Sequence, residues 1–207
     1  MYKSGEKAAW QKIRELGERI PKTAGIPFED GVFVFRSLGM DFHINPEDES
    51  IGAAAPEGRA LLSRFSYFFN HLALWWLVYS KGPLPEAGRL VRPQGLPGGD
   101  AFFRGTHTLP LDELARRYGN DKDGFLKRVR ALGAPDIAGV NPGPAAISAD
   151  STARLEPAPG FPAHILLWLE DEEFPARADM LLPSGIGVIL PLDVIWCASM
   201  LCLLSMF

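Results

Sequence analysis

The sequence predicts an α+β fold with a largely antiparallel sheet built from hairpins. Three observations carry that prediction. Strand-like runs arrive in pairs around glycine-containing turns, helical periodicities cluster between those pairs, and no strict β-α alternation or Rossmann or Walker signature calls for a doubly wound sheet. At 207 residues, with 47% hydrophobic and 22% charged residues, the chain fits a globular domain with a substantial core, and residues 1–207 are expected to form one domain.

Ala8, Ile13, Leu16 and Ile20 fall at near-helical spacing, so residues 5–20 read as an amphipathic helix stopped by Pro21. Val32-Phe33-Val34-Phe35 and Asp41-Phe42-His43-Ile44, joined through Ser37-Leu38-Gly39, read as a hairpin that the polar stretch Asn45 to Ser50 ends. From Glu57 to about Ser80, Leu61, Phe65, Phe68, Phe69, Leu72, Trp75 and Trp76 recur at three and four, predicting a long aromatic-rich helix broken at Gly82-Pro83-Leu84-Pro85.

Arg89-Leu90-Val91-Arg92 and Ala101-Phe102-Phe103-Arg104, separated by Leu96-Pro97-Gly98-Gly99, suggest a second hairpin. Two short helices follow, one opened by Pro110 and closed at Tyr118-Gly119, the other running from Gly124 to Leu132 and closed by Gly133. Ala134 to Ala146 is rich in proline and glycine and reads as a mobile loop. The apolar run Ala163 to Leu169 predicts a strand buried on both faces. Met180-Leu181-Leu182, a Pro183-Ser184-Gly185 turn and Ile186 to Leu190 suggest a third hairpin leading through Pro191 into a terminal helix.

That terminal segment is the one stretch with a membrane-like composition. From Val194 to Phe207 it would extend only about 21 Å as a helix, against the roughly 30 Å of a hydrocarbon core, so a buried helix and no membrane span are expected. The opening residues carry no apolar export signal. Cys197 and Cys202, flanked by large apolar residues, suit reduced core thiols, and a cytoplasmic location follows. A net charge of −4 and a pI near 5.6 argue against nucleic acid, whose phosphates require a basic patch.

Two segments carry candidate chemistry. Glu170-Asp171-Glu172-Glu173, followed by Phe174, directly abuts the hydrophobic strand that ends near Trp168. Closely held carboxylates raise one another's pKa and can bind a cation or hold a general acid, although a solvated loop explains the same residues. Gly98-Gly99, with Arg104 and His107 close behind and Arg89 and Arg92 close ahead, can frame an anion site from free N–H groups and guanidinium groups, beside the simpler reading of a Gly-Gly turn with charged flanks. His43, His71, His107 and His164 have no spacing that puts two on one helical face, so no protein-built metal site is expected. His71 and His164 read first as core histidines, and the five tryptophans as core before a planar-cofactor pocket. No G-x-S-x-G motif supplies a nucleophile.

Glu156-Pro157 with Pro162, Leu167-Trp168-Leu169-Glu170-Asp171-Glu172-Glu173-Phe174-Pro175-Ala176 and Leu190-Pro191-Leu192-Asp193 resemble domain-of-unknown-function family 3786. This is a bacterial and archaeal family often labelled putative iron-sulfur proteins in anaerobes. Phe33 to Asp41, Leu96-Pro97-Gly98-Gly99 with Phe102-Phe103, and Leu132-Gly133 are similar to it as well. The sequence has Leu182-Pro183 and Leu192-Asp193 where the pattern has an FD and an ED pair. The iron-sulfur label belongs to members with a cysteine-rich N-terminal module that these 207 residues do not contain.

The resemblance implies a fold and an anaerobic setting, with no established activity. Three functions stay open: a non-enzymatic cofactor-binding or accessory protein of metalloprotein metabolism, a metal-assisted hydrolase or lyase using residues 170–173, or an assembly module whose Val194 to Phe207 helix docks on a partner protein or on its own copy, as in a homodimer or other homo-oligomer. The first is preferred, with Trp168, Asp171, Glu172, Glu173, Phe174, Gly98, Gly99, Arg104 and His107 as ligand-binding candidates. The cofactor is left unidentified.

Overall fold

A computed structural model describes residues 2–17, 19–80, 89–134 and 149–207. It is an α+β fold with two antiparallel sheets, as the hairpin pattern predicts. Helix α1 spans Tyr2–Leu16 and α2 spans Arg19–Ala24. The single helix expected to reach Pro21 is therefore two. Gly17 adopts a left-handed conformation (φ +49°) and its N–H reaches Ile13 O at 2.9 Å, a common way for a helix to end. Pro21 lies in the first turn of α2, where a missing N–H costs nothing.

The first sheet is a meander of β1 (Phe28–Glu29), β2 (Val32–Ser37), β3 (Met40–Asn45) and β4 (Ser50–Ala53). Leu38 and Gly39 (φ +48° and +76°) form the two-residue turn whose twist matches the flanking strands. The polar stretch after Asn45 is a turn and not an end. Asn45 Oδ1 accepts the Glu47 N–H and Asp48 Oδ1 that of Ser50, returning the chain as β4.

Helix α3 (Pro56–Tyr79) is the spine between the sheets. Phe69, fully buried, meets Phe42 and Phe35 of the first sheet at 4.1 and 5.9 Å, and Trp76 stacks on Phe161 of the second at 5.9 Å. Burying a side chain of this size contributes about 2–3 kcal/mol. The helix kinks at Phe65 (φ −131°, ψ 22°).

The second sheet has the order β5 (Leu90–Val91), β8 (Arg177–Pro183), β7 (Phe161–Trp168), β6 (Ser151–Ala158). β7 is interior, and Ala163, Ile165, Leu166 and Leu167 are fully buried, matching the expectation of a strand covered on both faces. Two expected hairpins do not form. Leu90 and Val91 pair with Pro183 and Leu182 of β8, while residues 93–95 make a 3-10 turn and Gly99–Phe102 is a helical turn, α4. Gly98 is left-handed (φ +75°), and a Cβ on Gly99 would stand 2.1 Å from Pro93 O, so the glycine pair folds the chain against itself. Ile186–Ile189 likewise forms a helical turn, α7, because β5 and β7 already occupy both edges of β8. β6 escaped the sequence reading. Its Pro157 suits the sheet-edge position it takes.

Helices α5 (Leu111–Tyr118) and α6 (Lys122–Ala131) lie where expected, α6 starting two residues early because Asp121 Oδ1 accepts the Gly124 N–H at 2.8 Å. Helix α8 (Leu192–Leu204) buries Ile195, Ala198, Leu201 and Cys202 completely and packs on α3 and β6. No helix among the described residues is long and apolar enough to cross a membrane. The break at Gly82–Pro85 and, apart from Ala134, the loop to Ala146 lie outside the described residues.

Candidate functional site

The acidic segment forms a tight exposed turn between β7 and β8. Asp171 Oδ1 accepts the N–H groups of Glu173 and Phe174 at 2.8 and 2.7 Å, and its own N–H donates to Phe174 O. Glu172 and Glu173 are exposed, and so is Phe174 at 66%. Trp168 stands across from Arg177, whose guanidinium lies 3.9 Å from the ring centroid, a stacked cation–π contact. Among the described residues no group of three or more His, Cys, Asp or Glu side chains is arranged to hold a metal ion.

The Gly98 to His107 segment divides. Arg104 pairs with Asp100 at 2.6 Å on the surface. His107 turns inward, stacking on Phe102 at 4.2 Å and meeting the Trp196 edge at 4.9 Å. Phe68 of α3 packs on the same Trp196 at 5.5 Å. One turn away, His71 Nε2 and Asp193 Oδ2 are 3.1 Å apart, and this hydrogen bond is the main cause holding the Asp193 carboxyl below its usual range. His71 and His107 thus tie α3, α8 and the 105–107 turn together on one half-buried aromatic face. Tyr67, His71, Trp75 and Tyr79 follow at four-residue steps along α3, with Lys12 Nζ 5.3 Å from the Trp75 centroid.

Burial pushes the Cys197 and Cys202 thiols far up, which makes them poor nucleophiles. His164, 8% exposed on β7, is pushed down to about 4, first by burial and then by Arg154 across the strand pair, and its Nδ1 has no hydrogen-bond partner.

A cleft of about 280 Å³ opens where α3 kinks. Its apolar lining comes from Met40 of β3, Leu61 and Phe65 of α3, and Leu132 after α6. Two guanidiniums enter from different helices. Arg128 donates its Nε–H to Ser205 O at 2.7 Å, which fixes the side chain, and its terminal N–H groups have no hydrogen-bond partner among the described residues. Arg64 lies over the Phe65 ring at 4.9 Å. Neither has a carboxylate partner among the described residues. Ser205 also lines the cleft, and its Oγ is buried without a partner in a residue only 2% exposed. Buried polar atoms are nearly always satisfied, so this orphan hydroxyl, on a residue that shares the lining with two guanidiniums lacking a carboxylate partner among the described residues, stands out.

Leu132 also lines a second cleft of about 360 Å³, with Arg36, Arg154 and Glu156. There each guanidinium is already neutralised, Arg36 by Asp41 at 2.9 Å and Arg154 by Glu156 at 2.7 Å. Gly39 and Gly133, both on the lining of this larger cleft, touch: a Cβ on Gly39 would lie 2.8 Å from Gly133 Cα. Sequence reasoning missed Arg64 and Arg128 because each reads as an ordinary solvent-facing residue of its own helix. The only advance signal was that both helices bring arginine next to a large apolar side chain.

A family model described as a domain of unknown function (DUF3786) matches residues 18–203. No curated protein and no solved structure matches the chain.

Proposed function

The chain belongs to the DUF3786 family, and from that premise we propose that it is a non-enzymatic binding protein for a small molecule with an oxyanion head and an apolar body, held in the cleft at the α3 kink. The observation that carries this reading is that Arg64 and Arg128, without a carboxylate partner among the described residues, line one cleft together with Ser205, whose Oγ is buried and unpartnered. Two guanidiniums and a hydroxyl supply donors in the number and kind a carboxylate or phosphate accepts. Met40, Leu61, Phe65 and Leu132 offer the apolar wall that buries the rest of such a ligand. The lining carries one serine, a single carboxylate and no histidine or cysteine to form a base–nucleophile pair, which favours binding over turnover.

This preference keeps the binding-protein reading of the sequence and moves its site. Trp168 with residues 171–174, and Gly98, Gly99, Arg104 and His107, become secondary candidates, because Asp171, Arg104 and His107 already spend their polar or aromatic faces on internal partners. Titration calorimetry with isocaproate, inorganic phosphate and the neutral alcohol isohexanol tests the reading. Isocaproate is expected to bind and isohexanol not to, with Arg64→Gln weakening isocaproate at least tenfold, as the loss of a charge-assisted hydrogen bond implies. Equal binding of acid and alcohol, or of wild type and Arg64→Gln, overturns it.

A further inference from the structure

Glu57 stands on the rim of the same cleft and makes no ion pair among the described residues. It lies on the α3 face that carries Leu61, Arg64 and Phe65, seven residues before Arg64, about 10 Å along the helix at 1.5 Å per residue. Side chains three or four apart on a helix pair directly, whereas seven apart they are two turns removed. A carboxylate and a guanidinium therefore face one cavity from one helix without neutralising each other.

Resting on the oxyanion reading above, we propose that the ligand is a zwitterionic α-amino acid with an apolar side chain. Its carboxylate meets Arg64, Arg128 and the Ser205 hydroxyl. Its ammonium meets Glu57, and its side chain lies against Met40, Leu61, Phe65 and Leu132. Two cations and one anion on the lining match a ligand that carries both signs on one carbon, better than they match a simple acid, which would leave Glu57 facing it with like charge. The cavity of about 280 Å³ sits at the small end of ligand pockets, suited to a single amino acid. A carboxylate in the first turn of a helix is also favoured by the helix dipole alone, so the experiment must separate that role from ligand contact.

Calorimetry compares L-leucine with isocaproate and L-phenylalanine with hydrocinnamate, each pair differing only in the amino group, on wild type and on Glu57→Gln. The amino acids are expected to bind at least tenfold tighter than their deaminated partners. Glu57→Gln should bring each pair to within about twofold by weakening the amino acids alone. Deaminated acids that bind as well as the amino acids, or a ratio unchanged in Glu57→Gln, overturn the inference and leave the oxyanion reading standing. Failure of all four compounds removes both. Circular dichroism of Glu57→Gln, whose side chain is solvent-exposed, confirms that the fold is intact.

Discussion

Two clefts share Leu132 and differ in what their arginines do. In the larger one Arg36 and Asp41 are directly opposed on β2 and β3, and Arg154 and Glu156 are two apart on one face of β6. The sheet periodicity that places each cation also places its carboxylate. In the smaller one Arg64 and Arg128 come from two helices and pair with no carboxylate among the described residues, Glu57 standing two turns from Arg64, and Ser205 closes the C-terminal end of α8. Charge alone does not make a site. A guanidinium satisfied within its own hairpin is part of the scaffold, and one left unsatisfied beside a buried orphan hydroxyl is open to a ligand.

The largest expected effect breaks the glycine contact in the wall of the larger cleft. Gly39→Ala forces a Cβ to 2.8 Å from Gly133 Cα at φ +76° and should cost roughly 2–4 kcal/mol in denaturant melts. Gly31→Ala has the same left-handed strain (φ +80°) in open space and should cost only about 1–2 kcal/mol. Equal losses would mean that the contact contributes nothing to the wall.

Acid acts next, on His164, the cross-strand neighbour of Arg154 in the paired cleft. His164 titrates near 4 when folded and near 6.5 unfolded. The unfolded chain therefore binds the extra proton first as pH drops. Stability from this group is complete above pH 6.5 and declines by roughly 2–3 kcal/mol between about 6.5 and 4. His164→Leu should flatten that part of the stability–pH curve, and a slope unchanged in this variant would show that another group controls it.

Smaller effects sharpen the contrast. Arg64→Gln should lower isocaproate affinity at least tenfold with little change in melting temperature, whereas Arg36→Gln should leave affinity alone and change stability by less than about 1 kcal/mol, the usual range for an exposed pair. Loss of affinity in Arg36→Gln instead would make the two clefts one site. Smallest of all, Ser205→Ala removes a buried hydroxyl without a partner. It should leave stability unchanged or raise it by up to about 1 kcal/mol while weakening isocaproate. A clear fall in melting temperature would show that the hydroxyl has a structural partner.

Much of the fold was legible because local patterns met no competition. The β2–β3 hairpin has alternating apolar residues around a glycine turn, α3 has its aromatic repeat, and β7 and α8 are too apolar to lie anywhere but inside. The misread elements were those decided by neighbours. Residues 89–92 and 186–190 have strand-like composition, yet pairing depends on which edge is free, and β8 offered one edge to β5 and none to the residues that follow it. Gly98-Gly99 carries a turn signal, but only the approach of Pro93 O fixes which turn it makes.

Of the candidate site, the sequence singled out unusual composition: runs of acids, glycine pairs and histidines. The structure spends several of these on internal contacts. It assembles its most ligand-ready donors from Arg64, Arg128 and Ser205, each unremarkable in its own segment. By itself the sequence determined the antiparallel α+β class, the aromatic spine and the burial of the terminal helix, since periodicity and hydrophobicity act over neighbouring residues. Only the tertiary structure decided which strands pair and which charges go unpartnered, because edge occupancy and ion pairing depend on residues distant in the chain being brought within a few ångströms.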